Sequence, residues 1–247
     1  TLWGANAVNG VINVITRDAS ATQGPYLQVS GGNFDSSASF RYGGKVSDHI
    51  MIKVMADTFS TDATTPVQAG PAPSDAFRGA FGSVGFTGTW GADVYTLGAS
   101  LYDNRIADGG GRLRGQLARF GWSRQMDNGS TASGYATVTH DDRSDPTLYE
   151  SRDSLVMAAQ QAIQVSTRQQ FVWGGEYRYW WENFVSFNAF HFANPKTTIS
   201  LGSLFAQDQI VLRSDLKLIL GLKGEYSSYS GFEWLPKLDG DYSQLPF

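Results

Sequence analysis

The sequence predicts an all-β fold: part of an antiparallel, up-and-down transmembrane β-barrel of about 12 strands. Three observations point there. Apolar and polar residues alternate with period two along much of the chain. The alternating segments are longer than strands of soluble sheets, which usually run about 5–6 residues. Short turns alternate with longer polar loops, as they do when hairpins run up and down between two rims.

Composition agrees with this and narrows the options. The chain has 247 residues, of which 17% are charged, against roughly 25% in ordinary soluble domains. With Gly counted in and Tyr left out, the apolar fraction is about 48%, the usual value, so charge is scarce rather than apolar residues abundant. The 7 Trp, 11 Tyr and 15 Phe oppose disorder. A net charge of −4 gives no basic footprint for nucleic acid. Without cysteine there are no disulfides, thiolate metal sites or Cys nucleophiles. No apolar run reaches the ~18 residues of a membrane helix; barrel strands never show as such runs.

Taken in order, strands are expected near 26–31, 34–43, 49–59, 77–89, 93–103 and 112–125. Others follow near 130–141, 149–164, 169–182, 198–212, 215–227 and 233–242. In the third, Ile50, Ile52, Val54 and Ala56 oppose Lys53 and Asp57. In the sixth the parity changes, Leu113 and Leu117 falling on one side and Phe120 and Trp122 on the other, which a bulge would produce. The ninth sets Phe171, Trp173, Tyr177, Tyr179 and Trp181 against Gln170, Gly174, Glu176 and Arg178. Fully extended it would measure roughly 46 Å; tilted about 45°, it rises about 33 Å, close to the ~30 Å hydrocarbon core of a bilayer. In the eleventh, Leu216, Leu218, Leu220, Leu222 and Tyr226 oppose Lys217, Gly221, Lys223 and Glu225, with Ile219 the exception. Turns are expected at 44–48, 90–92, 126–129, 165–168 and 213–214, and longer loops at 60–76, 104–111, 142–148 and 183–197. Trp90, Trp122, Tyr179, Trp180, Trp181, Tyr226 and Tyr229 lie near strand ends, where amphipathic rings suit the boundary between hydrocarbon and water.

The opening residues differ from the rest. Small residues crowd Gly4 to Ala7, Gly10 ends a short helix or turn, and Val11 to Thr16 is a β-branched run typical of a buried strand. Residues 18–25 read as a linker. The stretch Leu2-Trp3-Gly4 followed by Gly10-Val11-Ile12-Asn13-Val14-Ile15-Thr16-Arg17 closely resembles the end of the plug domain of TonB-dependent outer-membrane receptors. Leu204 to Ile210 and the Tyr229-Ser-Gly-x-Glu-Trp-x-Pro236 run resemble strands of the same family's barrel. The resemblance implies two parts: residues 1–24 as the end of a plug and its linker, and 25–247 as the N-terminal part of the barrel. Family barrels have about 22 strands, so the chain reads as an excerpt of a longer protein. It begins at Thr1 without a signal peptide and lacks both most of the plug and the segment that contacts TonB.

For function, the resemblance implies import across the outer membrane of a Gram-negative bacterium. The cargo would be a scarce nutrient: a ferric siderophore, or cobalamin, haem or a glycan. The expected partners are the TonB energy-coupling complex, outer-membrane lipid and a small-molecule or metal-chelate substrate. No resident cofactor or metal is expected. Two other readings stay open, a passive porin-like channel and a soluble all-β binding domain; the plug-like opening counts against the first and the long strands with apolar faces against the second.

Candidate substrate contacts are Phe187, Phe190, His191 and Phe192, in an expected outer loop where exposed aromatics can stack on a ligand. They can equally pack against other loops or sit at headgroup level, which barrels require in any case. Glu176, Arg178, Lys223 and Glu225 are expected to face the lumen, contacting the plug or simply making the wall polar. His140, Asp141, Asp142 and Asp145 are dense enough for Ca²⁺ but lack the Asp-x-Asp-x-Asp-Gly spacing, and read as a solvated loop. Neither a Gly-x-Ser-x-Gly elbow nor a phosphate loop is present, and no enzyme constellation stands out.

Overall fold

The period-two pattern is realised as one antiparallel sheet. The computed structural model describes residues 17–64, 75–106, 111–187 and 191–242. A 3-10 turn (Ala19–Thr22) precedes twelve strands, β1 (Gly24–Gly31), β2 (Asp35–Lys45), β3 (Ile50–Thr61), β4 (Phe77–Trp90), β5 (Asp93–Ile106) and β6 (Gly111–Gln125), then β7 (Thr131–Ser144), β8 (Leu148–Ser166), β9 (Gln169–Ser186), β10 (Lys196–Arg213), β11 (Leu216–Ser227) and β12 (Gly231–Tyr242). Each strand pairs with its neighbours in sequence, β1 to β12 in order, and the sheet does not close on itself. The expected fold class therefore stands. The Leu2-Trp3-Gly4 and Gly10 to Thr16 stretches, and Phe190, lie outside the described residues.

The two faces of the sheet are inverted relative to a soluble protein. Partner rows assign side chains to a face without ambiguity: Ile52, Phe86, Leu97, Phe120, Ala136, Met157, Tyr177 and Gly202 form one unbroken row across β3 to β10. That face is apolar and open, with Leu204 74% and Leu238 75% exposed. The opposite face is polar and crowded, and there Lys223 is 4% and Glu225 7% exposed. Among the described residues the buried apolar side chains are Ala19, Val172 and Leu201 alone, far too few to offset the entropy of ordering such a chain in water. An apolar outer skin over a polar inner side is the arrangement of a transmembrane barrel wall.

Strand lengths depart from the sequence reading in a consistent direction. β8, β9 and β10 have 19, 18 and 18 residues. The loop expected at 142–148 shrinks to 145–147, and the one at 183–197 to 187–195. Cross-strand ion pairs carry the ladders past the apolar belt: Arg114 faces Asp142 at 2.8 Å, His140 faces Asp153 at 2.8 Å and Arg152 faces Glu182 at 2.7 Å. The opposite rim keeps turns such as 91–92, 167–168 and 214–215.

Two further expectations change. β6 has no bulge; its register is continuous with β5 and β7, and Leu113 and Leu117 simply face inward. Register shifts occur instead at Gln164/Ser166 and Val211/Arg213, beside short turns. Trp180 has the parity of Glu176 and Arg178, so it faces inward and does not belong to the outer aromatic belt. Trp181 does, packing edge-on to Tyr179 at 4.2 Å between ring centroids.

The linker is more ordered than its composition suggests. The 3-10 turn lies on the inner face against β2, β3 and β4. A Cβ on Gly43 would collide with the Thr22 carbonyl oxygen and lie 2.8 Å from its carbon, so glycine lets the turn touch the sheet backbone. Lys53 Nζ donates to the Arg17 carbonyl at 2.6 Å from the same face.

Candidate functional site

The inner face carries the polar groups, and the four expected lumen residues are all on it. Glu176 and Arg178 come from β9, Lys223 and Glu225 from β11, with Ser203 of β10 between Glu176 and Glu225 in one cross-strand row. They form two local ion pairs: Arg178 Nε to Glu176 Oε1 at 2.6 Å, and Lys223 Nζ to Glu225 Oε2 at 2.6 Å. Tyr135 extends the first pair, donating from its hydroxyl to Glu176 Oε2 at 3.4 Å across Ala158 of the intervening strand. The Arg119 guanidinium stacks 3.8 Å above the Tyr135 ring. This polar line bounds a hollow of about 350 Å³ lined by Ser133, Gln160, Glu176, Ser203 and Lys223.

A second inner hollow, of about 630 Å³, opens toward the rim that carries the longer loops, lined by Tyr102, Asn104, Asp141, Arg143, Glu150 and Arg152. Tyr102 donates to Asp141 Oδ1 at 2.6 Å, passing over Gly115 of β6. A Cβ on Gly115 would collide with Asp141 Oδ1 and come within 2.8 Å of both the His140 carbonyl and the Tyr102 hydroxyl. Arg152 holds Glu150 and Glu182, each at 2.7 Å. Just beyond, Asp145 Oδ1 accepts from the Thr147 amide at 2.8 Å, its hydroxyl at 2.6 Å and the Leu148 amide at 2.9 Å. The Thr147 hydroxyl leads in holding that carboxyl below the usual carboxylate range.

The loop candidates gather at this rim. Phe192 stacks on Phe184 with centroids 4.7 Å apart, and Phe184 has the inward parity of Glu176 and Glu182. His191 Nδ1 lies 3.4 Å from Ser186 Oγ. Phe187 is exposed and anchored through its amide to the Thr147 carbonyl at 2.8 Å.

The acidic group around His140 is split by the strand. His140, Asp141 and Asp142 lie in β7, not in a loop. Asp141 points inward to Tyr102, while His140 and Asp142 face outward to Asp153, Arg114 and Tyr149. No group of three His, Cys, Asp or Glu residues suited to a metal occurs among the described residues. The sequence reading missed Arg119, Tyr135, Tyr102, Arg143 and Arg152. The available signal was their common inward parity, hidden for Arg119 by the apparent break in β6.

A single neighbour-to-neighbour sheet, polar inside and apolar outside, with strands long enough to cross a bilayer, is the wall of a transmembrane β-barrel. No protein-family model matches the sequence, and no curated protein sequence matches it. Solved structures do. The siderophore receptor PirA from Pseudomonas aeruginosa superposes with a TM-score of 0.70 at 15% identity, covering 85% of this chain and 38% of the receptor. The ferric enterobactin receptor PfeA in complex with BCV-L6 gives 0.78 at 17%, covering 95% and 44%. A point variant of PfeA from Pseudomonas aeruginosa in complex with enterobactin gives 0.73 at 14%, covering 94% and 44%. The fold is that of the barrel of TonB-dependent siderophore receptors, and the chain spans about two-fifths of the length of those receptors.

Proposed function

We propose that the chain is the end of the plug (1–24) and the first part of the barrel (25–247) of an outer-membrane receptor that captures a ferric siderophore and imports it with energy from TonB. The observation that carries this reading is the match of up to 95% of the chain to siderophore receptors, joined to a wall whose inner face holds fixed charges. The enterobactin complex of a PfeA variant supports a metal-chelate cargo. The 3-10 turn seated on Gly43 inside the wall supports a plug entering from the lumen side. In this reading Phe187, Phe190, His191 and Phe192 present aromatic surface to the chelate. Glu176, Arg178, Lys223 and Glu225 bear on the plug or the opened path. Selective capture and gated passage are the work; no bond of the cargo is made or broken.

The test is uptake. A strain deleted for the parent gene should lose growth on a ferric siderophore as sole iron source, and regain it with the parent gene only when TonB is intact. Growth restored without TonB, together with free diffusion of small sugars in liposome swelling, would instead establish a passive channel.

A further inference from the structure

The mouth of the wall has a charge balance that the transport reading leaves unused. Three inward rows lead up to the rim with the longer loops. The first runs Asp57, Phe81, Tyr102, Gly115, Asp141, Arg152 and Glu182 from β3 to β9. The next sets Arg143 opposite Glu150, and the last begins at Asp35. Across these rows five carboxylates accompany two guanidinium groups and no lysine. The segments joining strands at this rim are 32–34, 62–76, 107–110, 145–147, 187–195 and 228–230. They contain Asp62, Asp75, Asp108 and Asp145 and neither Lys nor Arg. Arg78, Arg105, Arg112 and Arg114 have the opposite parity and stand on the outer face.

The two inward arginines are already matched. Arg152 lies between Glu150 and Glu182, at 2.7 Å from each, and Arg143 is 3.6 Å from Asp145. An anion entering here would compete with a carboxylate for either one. Asp35, Asp57 and Asp141 have no ion pair among the described residues, and Asp141 accepts only the neutral Tyr102 hydroxyl. Asp141 borders the hollow of about 630 Å³, a size within the about 300–1,000 Å³ of small-ligand sites.

Aromatic rings point to the same sign of ligand from a different part of the chain. Phe187 is 47% exposed, and the inward Phe184 carries the stacked Phe192. Ring faces are electron-rich and attract cations. A concave mouth lined by one sign of charge also focuses its field on what enters.

We infer that the chelate admitted by this mouth carries positive charge: a ferric hydroxamate complex with a free ammonium group, in place of the trianionic complex of three catecholates. Three hydroxamates neutralise ferric iron, so the ammonium sets the charge. Asp141, at the hollow, receives it, and the other unpaired carboxylates draw it in. The inference rests on the siderophore reading above and narrows its cargo.

The test is equilibrium binding of the full parent receptor in detergent to three probes. They are a linear ferric trihydroxamate with a terminal amine, the same complex with the amine acetylated, and ferric tris-catecholate. The amine form should bind more tightly than its neutral twin, with a preference that shrinks as ionic strength rises, and the catecholate should bind weakest. In D141N the amide oxygen can still accept from Tyr102, so the variant isolates charge. It should weaken the amine form about fivefold and leave the acetylated form unchanged. D35N/D57N should slow association of the amine form at low salt. D239N, inward at the opposite rim, should change neither. If D141N does not fold, the salt dependence of the wild type still decides. Equal binding of the two hydroxamate forms, or tighter binding of the catecholate, overturns the inference. Growth of the deletion strain carrying the parent gene, on each chelate as iron source, separates the two readings. Growth on none removes the siderophore reading and this inference together, whereas growth on the catecholate with tighter binding removes this inference alone.

Discussion

Gly115 shows how one missing methyl group organises the inner wall. Tyr102 reaches Asp141 two strands away only because nothing projects from β6 between them. In Gly115→Ala the new methyl meets a backbone carbonyl as well as two side chains, so rotamer changes alone cannot relieve it. The variant should lose about 1–3 kcal/mol, measured by urea unfolding of the parent barrel in lipid vesicles. Tyr102→Phe should cost less than Gly115→Ala, because it removes the hydrogen bond and leaves the backbone undisturbed. The same logic of small residues beneath long ones recurs at Ala158, which lets Tyr135 reach Glu176.

At the level of the strand, the inverted faces make substitutions depend on parity. Leu222 lies on the apolar skin of β11, next to Ala206 and Pro236 in its row, while Lys223 is packed on the inner side. Leu222→Arg should destabilise the folded barrel by about 2–4 kcal/mol, read from the urea midpoint in vesicles. Gln209→Arg, at an inward position of β10, should change it far less. This parity was legible in residues: Leu218 to Leu222 against Lys217 and Lys223, and Phe171 to Trp181 against Gln170 to Arg178, fall as their alternation foretold. Strand ends were not. Asp142 and Arg143 resemble loop composition, yet they continue β7 opposite Arg114 and Glu150 and prolong the sheet. Likewise Leu113 and Leu117 suggested a bulge because their parity is opposite to that of Phe120 and Trp122; an occasional inward leucine breaks the pattern without breaking the register. The site was legible only as a parity class. Which inward groups touch depends on side-chain reach across an intervening strand, and that is not written in local spacing.

For the molecule as a whole, the sheet leaves two edges without partners among the described residues: β1 pairs with β2 alone and β12 with β11 alone. Unpaired N–H and C=O groups are costly in lipid and adhesive in water. The 247-residue chain by itself should therefore aggregate in buffer and give no single monomeric species in detergent, as judged by sedimentation velocity. A soluble, cooperatively unfolding monomer would contradict the bilayer placement of the skin.

Connectivity between neighbours alone also bears on how such a wall is made. Every hydrogen-bonded ladder joins segments separated by a single turn or loop, so closing each one costs little chain entropy. None of the ladders among the described residues has to wait for a distant stretch of polypeptide to arrive. Assembly can run as a zipper that begins at any hairpin, each newly docked strand becoming the template for the next as it emerges.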